Sequence, residues 1–403
     1  MSAPAPASSP GAGPSQADLA HVARKRRPPI LWGAVVVVVI VIVVVAWGVT
    51  AGGWLKPTKS SGANCPSDPQ ALTGAGSTFV YPLMNTWTTL YSQDCRVDVN
   101  YQAVGSSSGI TSLASKAVDF GASDAPLSIA QRANLPGPTV TIPETSGAVV
   151  LLYDIPNVLG NLNLSGSVIA GIYLGTITNW NDTRITSINP AITLPSLPIV
   201  PVHRLDGSGT SFAFTSYLSI ESPAWSSTYG RGLTVNWPVG PGEKGSTGVA
   251  GEVGATPGAI GYDEFAYAQL NHLTFAAIEN PANNYILANQ SNVQPAVQAG
   301  AANLPAGTGD WYNVSLLNEP GSQTYPIVTF SYLMVFTDLT LVYGSSMTAS
   351  DAASLGHFIY WILNSGQAYA PGVFYVPLPA NIVAADETSL GLITYGGAPV
   401  PTH

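Results

Sequence analysis

The chain has 403 residues, 46% of them apolar and only 9% charged, so it can bury a large core beneath a surface made mostly of Ser, Thr, Asn, Gln and Gly. Its 13 Lys and Arg against 22 Asp and Glu give a formal net charge of −9. That balance disfavours nucleic acid as a partner, because outside one short basic cluster near the start no basic patch is left to neutralise phosphates.

Ser2 to Ala20 is Pro, Ala, Ser and Gly with almost no large apolar residue, and it leads into the basic cluster Arg24-Lys25-Arg26-Arg27. Ile30 to Val49 is an uncharged apolar run of 20 residues, about 30 Å long as a helix and enough to span a bilayer. The expectation is a disordered cytoplasmic tail over 1–29, a single transmembrane anchor over 30–50, and the remainder outside, as the positive-inside rule requires. Val49-Thr50-Ala51 leaves a cleaved signal peptide as the alternative. Nine of the basic and 21 of the acidic residues follow the span, so the exterior carries a net charge of −12 and does not steer anions from a distance. At low pH the carboxyls would be neutral and only those nine basic charges and the few histidines would remain, a composition suited to an acidic exterior.

Residues 51–70 read as a Pro/Ser/Gly/Lys-containing linker. Cys65 and Cys95 are the only cysteines, and in an oxidising compartment they read as one disulfide, with two free thiols as the alternative. Short β-rich runs then alternate with helical stretches, the pattern of α/β lobes with largely parallel sheets. Arg96–Tyr101 and Val118–Ala122 are expected strands, with a helix over Ile110–Lys116 between them.

Loops rich in glycine and hydroxyls punctuate this pattern. Thr73-Gly74-Ala75-Gly76-Ser77-Thr78-Phe79 precedes an amphipathic helix containing Trp87 and Leu90, and Gly105-Ser106-Ser107-Ser108-Gly109 lies between a strand and a helix. Val118 to Pro126 ends a strand beside the carboxylates Asp119 and Asp124. His203-Arg204-Leu205-Asp206-Gly207-Ser208-Gly209-Thr210-Ser211 is a strand end and turn before a helix beginning near Phe212. Hydroxyls, close-approaching backbone, helix N-termini and one guanidinium are the chemistry of an anion seat. The Gly105 loop also fits G-x-S-x-G, so a serine hydrolase is an alternative, although none of His203, His272, His357 and His403 has a motif around it.

Leu72 to Phe79, Tyr101 to Gly109, Val118 to Ser128, Ile172-Tyr173-Leu174-Gly175 with Trp180-Asn181-Asp182, Arg204 to Leu218, and Pro257 to Tyr262 occur in one order. Together they resemble the phosphate-binding protein of the high-affinity phosphate ABC transporter. The resemblance runs over about 71–270 and, more weakly, to about 395. It implies a two-lobed, hinged periplasmic-binding-protein-like α/β fold of type II, with 71–152 and 325–395 forming lobe 1 and 153–324 forming lobe 2. The implied function is capture of inorganic phosphate by a monomer, and its delivery to the permease subunits of an ABC transporter, without catalysis, metal or organic cofactor. A binding protein for another oxyanion is the second alternative. By motif match Thr78, the Phe79 backbone N–H and Ser106 would donate to phosphate, and Asp124 would accept its proton. Arg204, Ser208, Gly209 and Thr210 would close from the other lobe, with Asp206 holding Arg204. Combined with the expected span, this places the protein in the cell membrane, with its binding domain on the extracytoplasmic side.

Overall fold

The computed structural model describes residues 65–158 and 160–402. Its frame is one eight-stranded sheet. In chain order the strands are β1 (Leu72–Gly76), β2 (Val99–Ala103), β3 (Phe120–Ser123), β4 (Thr139–Tyr153), β5 (Asn163–Leu164), β6 (Val200–Arg204), β7 (Gly242–Glu243), β8 (Ala259–Glu264), β9 (Ala277–Glu279), β10 (Tyr285–Ile286) and β11 (Val328–Phe336). The sheet order is β2-β1-β3-β11-β4-β8-β6-β7, while β10-β9-β5 form a separate three-stranded sheet.

Parallel pairs lie at both ends, β1 with β2 and β3 on one side and β6 with β7 and β8 on the other. The middle is antiparallel, and β4 joins the two halves. Its first part pairs with β11 from Thr139↔Phe336 to Ala148↔Val328, and its last five residues pair with β8 from Val149↔Glu264 to Tyr153↔Ile260. A single strand thus serves both lobes, which is why residues far apart in sequence assemble each one.

Helices follow the parallel strands. Helix α1 (Tyr81–Cys95) buries Leu83, Met84, Trp87 and Tyr91, a spacing that puts them on one face. The buried Trp87 indole donates to the Gly366 carbonyl at 2.8 Å. Helices α2 (Ser106–Ala114), α3 (Gly209–Glu221) and α4 (Gly245–Ala255) begin directly after cleft loops. Cys65 and Cys95 form the disulfide, with Cα atoms 5.2 Å apart, tying the start of the described chain to the end of α1.

The membrane expectation needs correction. The anchor expected over 30–50, with the tail over 1–29 and the linker to residue 64, lies outside the described residues. Among the described residues no helix is long and apolar enough to cross a membrane. The longest helices there, Tyr81–Cys95 and Ala349–Leu363, have 15 residues each, about 22 Å against a hydrocarbon core of about 30 Å. The described residues therefore form the two-lobed α/β unit with no membrane-crossing helix among them, and the expected membrane contact through 30–50 and the single-pass location that rested on it are not carried further.

Candidate functional site

The cleft site is assembled from loop-to-helix junctions of both lobes. On one side lie the turn after β1, the start of α2 and the segment after β3. On the other lie the turn between β6 and α3 and the start of α4. Ser77, Thr78, Ser106, Asp124, Arg204, Ser208 and Thr210 are all buried, and among the described residues Arg204 is the only buried Lys or Arg.

The lobes meet by direct contact. The Gly209 N–H donates to Ser106 Oγ at 3.0 Å, and the Ser107 N–H donates to the Gly207 carbonyl at 3.0 Å. The Ser246 N–H donates to Thr78 Oγ1 at 3.1 Å, and the Tyr267 hydroxyl donates to the Thr78 carbonyl at 2.7 Å. Two glycines set how near the lobes come. A Cβ on Gly209 would lie 2.6–2.7 Å from the backbone of Asp124. Gly105 has φ +93°, and a Cβ there would lie 2.3 Å from Asp206 Oδ2.

Arg204 is held from one side. Its Nε and Nη2 donate to Asp206 Oδ1 and Oδ2 at 2.8 and 2.6 Å, a bidentate pair, and Asp206 Oδ1 also accepts the Gly245 N–H at 2.9 Å. Burial acts to raise the Asp206 carboxyl, but the Arg204 guanidinium outweighs it and holds the group below its usual range. Burial likewise opposes the charge on Arg204, and hydrogen bonding to Asp206 keeps it protonated. Asp263, also buried, is pushed up to about 7, chiefly by burial and against the pull of Arg204.

Asp124 is the buried carboxyl between two serines. Ser77 Oγ lies 2.6 and 2.7 Å from its two carboxylate oxygens, and Ser331 Oγ lies 3.0 Å from Oδ1. Burial pushes its pKa up to about 6, against the lowering effect of Ser77, Ser331 and Arg204. As a carboxylate it can accept a ligand O–H in a hydrogen bond. Thr210 Oγ1 is a buried hydroxyl without a hydrogen-bond partner, an unmet donor in the first turn of α3.

The residues singled out in the sequence lie together, and two of the backbone donors among them are already engaged, the Gly209 N–H by Ser106 Oγ and the Phe79 N–H by Ser77 Oγ. The Phe79 N–H, expected to face the ligand, donates to Ser77 Oγ at 2.9 Å because Ser77 folds back over its own turn. Ser208 caps α3 by accepting the Ser211 N–H at 3.2 Å, which leaves its own hydroxyl proton to donate. Sequence reasoning missed Ser77, Ser246, Asp263 and Ser331. Ser77 adjoins Thr78 in an already suspect loop and was legible; Ser331 sits mid-strand with no local signal.

The hydrolase alternative finds no support in this geometry. A Cβ on Gly207 would touch Ser107 Oγ at 2.0 Å, so that hydroxyl faces the opposite lobe's backbone. His203 stacks on Trp237 with ring centroids 5.0 Å apart, and its ring nitrogens lie 3.1 and 3.2 Å from the Arg204 and Gly240 carbonyls.

Two lobes on a shared sheet, with hydroxyls and helix N-termini converging on one buried arginine, define an extracytoplasmic substrate-binding protein, a class that captures ligands and does not transform them. The PBP superfamily domain matches residues 63–365. Among its relatives, the phosphate-binding protein PstS of Pasteurella multocida is 36% identical over 321 residues, covering 78% of this chain and 88% of that protein. The phosphate-binding protein PstS3 of Mycobacterium bovis is 31% identical over 357 residues, covering 86% and 92%. The chain belongs to the phosphate-binding protein family of ABC-transporter substrate-binding proteins. The fold is shared with a phosphate-binding protein from Stenotrophomonas maltophilia, at TM-score 0.61 and 19% identity, over 82% of this chain and 96% of that one.

Proposed function

We propose that this chain captures one partly protonated phosphate between its lobes, through Thr78, Ser106, Asp124, Arg204, Ser208, Gly209 and Thr210, and hands it to an ABC permease. The relatives' activity supports the ligand. The observation that carries the assignment of residues is the unpartnered buried hydroxyl of Thr210, beside the helix start that meets Ser106 and Asp124.

In this reading closure brings donors from both sides. Hydroxyls of Thr78, Ser106, Ser208 and Thr210 donate to phosphate oxygens, and the face of Arg204 not taken by Asp206 supplies the fixed charge. Asp124 accepts the ligand's own O–H. Phosphate near neutral pH carries at least one proton, whereas sulfate carries none and would set lone pairs against a buried carboxylate. An unpaired charge of that kind costs several kcal/mol, a discrimination of about a thousandfold. Delivery follows if the permease engages the closed form, since phosphate shifts the lobes toward closure by its differential affinity for the two states.

The test is calorimetric titration of the full chain, stripped of bound anion, with phosphate, arsenate and sulfate. Phosphate and arsenate should bind and sulfate should not. Arg204→Ala should abolish binding, and Asp124→Asn should weaken the rejection of sulfate. Absence of heat with all three anions would overturn the reading.

A further inference from the structure

Behind Asp124 lies a second acid that the capture reading does not use. Glu144 is fully buried in β4, at the one place where the pairing of β4 with β11 slips: Ser331 pairs with Thr145 and Tyr332 with Pro143, so Glu144 is the extra residue of a β-bulge. Bulges beside binding sites re-aim side chains, and this one brings Glu144 Oε1 to 2.8 Å from Ser331 Oγ. The same Ser331 Oγ lies 3.0 Å from Asp124 Oδ1.

A serine hydroxyl has one proton and cannot donate to both carboxyls. Either Glu144 is neutral, donates to Ser331 and lets Ser331 donate to Asp124, or the chain runs the other way and Asp124 must carry the proton. The surroundings choose between them. Asp124 has a further hydroxyl donor in Ser77 and feels Arg204. Glu144 has no such support: its Oε2 is buried without a partner, and the Gln367 amide donates to its main-chain carbonyl rather than to its carboxyl. The titratable groups facing it are Asp124 across Ser331 and the Tyr101 phenol of β2, with the buried Glu264 at the end of β8 against Gly147 of the same strand.

We propose that Glu144 is a positioning residue for anion recognition: as a neutral acid it donates to Ser331 Oγ, Ser331 donates to Asp124 Oδ1, and this one-way chain holds Asp124 as the ionised acceptor that a protonated ligand needs. The inference rests on the reading of Asp124 as the phosphate's proton acceptor. The pKa order agrees. Burial, reinforced by the Asp124 charge and opposed by Ser331, pushes Glu144 up to about 8, above the value of about 6 for Asp124. When Glu144 loses its proton, it claims the Ser331 hydroxyl and adds a buried charge behind Asp124, so the site should lose affinity above that pH.

The experiment compares phosphate affinity of the full-length wild type, Glu144→Gln, Ser331→Ala and the double variant from pH 6.5 to 9, with sulfate competition at each pH. Affinities are taken as ratios to wild type at the same pH, which cancels the ionisation of phosphate itself. The amide introduced by Glu144→Gln can donate to Ser331 at every pH, so the ratio should be near one at pH 6.5 and should rise to about tenfold tighter than wild type at pH 9, one unit beyond the Glu144 transition. In Ser331→Ala the preference for phosphate over sulfate should fall about tenfold or more, and Glu144→Gln should then add no pH-dependent change. A Glu144→Gln ratio that is constant across pH, or the same pH-dependent gain without Ser331, overturns the proposal. Should Glu144→Gln not fold, an unchanged sulfate preference in Ser331→Ala overturns it alone. Failure of the capture reading looks different, since the wild type itself would then bind no phosphate or bind sulfate equally.

Discussion

Gly209→Ala isolates lobe closure from every other property of the site. Gly209 opens α3 without a positive φ, so alanine fits the local backbone and should favour the helix by up to about 1 kcal/mol. Across the cleft the new Cβ would meet the Asp124 N, C and Cα atoms at 2.6–2.7 Å, and these are backbone atoms that cannot swing aside. Ordinary contact needs about 3.5 Å or more, so the lobes must stand off by roughly 1 Å. That displacement stretches the Gly209–Ser106 and Ser107–Gly207 hydrogen bonds, both 3.0 Å in the closed form. At about 1 kcal/mol each, with a comparable loss at the ligand, phosphate binding should weaken by ~3 kcal/mol, on the order of a hundredfold. Titration calorimetry gives the affinity, and thermal unfolding with and without phosphate separates it from folding. The variant should unfold at or above the wild-type temperature when phosphate-free, and should gain much less from phosphate. Wild-type affinity in Gly209→Ala would refute the close approach of Gly209 to Asp124.

Arg204→Lys keeps a charge but loses the bidentate grip on Asp206, and calorimetry should show phosphate binding at least about a hundredfold weaker. Stability of the phosphate-free protein should fall as pH rises. Asp124, Asp263 and Glu144 are raised in the folded state to about 6, 7 and 8 from ordinary values of 3.8, 3.8 and 4.5, so the native form holds protons that the unfolded chain releases. Their contribution is full below about pH 4 and lost as pH rises through 6 to 8, and a melting temperature that is flat or rising from pH 5 to 8 would contradict it. Replacing Cys65 and Cys95 together by serine opens a loop with a sequence separation of 30 and should cost about 3 kcal/mol, read from denaturant midpoints.

What the sequence made legible was local. Loops after β1 and β2 and before α3 announce themselves by glycines and hydroxyls packed into a few consecutive residues, and the strands and helices flanking them follow. Boundaries slipped where one residue's backbone departs from the run. The helix expected from Ile110 begins at Ser106, because Gly105 at φ +93° lets the serines become the first turn. The strand expected from Arg96 begins at Val99, because Arg96 takes a left-handed φ of 57° to end α1. The acids behind the site were not legible. Ser331 and Glu144 are 187 residues apart and meet only because β11 and β4 pair with a bulge, and Asp263 meets Arg204 only because β8 lies beside β6. Phe79 shows the limit within a motif, since the identity of the loop could be read but the turn of Ser77 onto its own backbone could not.

The balance of charge in the site leads to a last expectation, about salt. Arg204 is neutralised by Asp206, and Asp124 adds a negative charge, so counted as ions the site does not attract a phosphate. Attraction must come at short range, from the face of Arg204 that Asp206 leaves free and from dipoles. Helices α2, α3 and α4 begin at Ser106, Gly209 and Gly245, all on the cleft, and each N-terminus carries roughly half a positive charge over its first turn. Such short-range fields, acting on a ligand enclosed away from solvent, are screened far less than exposed ion pairs. Phosphate affinity should therefore change by less than about threefold between about 0.05 and 0.5 M sodium chloride, and association should quicken with salt as repulsion from the acidic surface is screened. A tenfold loss of affinity over that range would mean that free surface cations, and not the helix starts and hydroxyls, hold the anion.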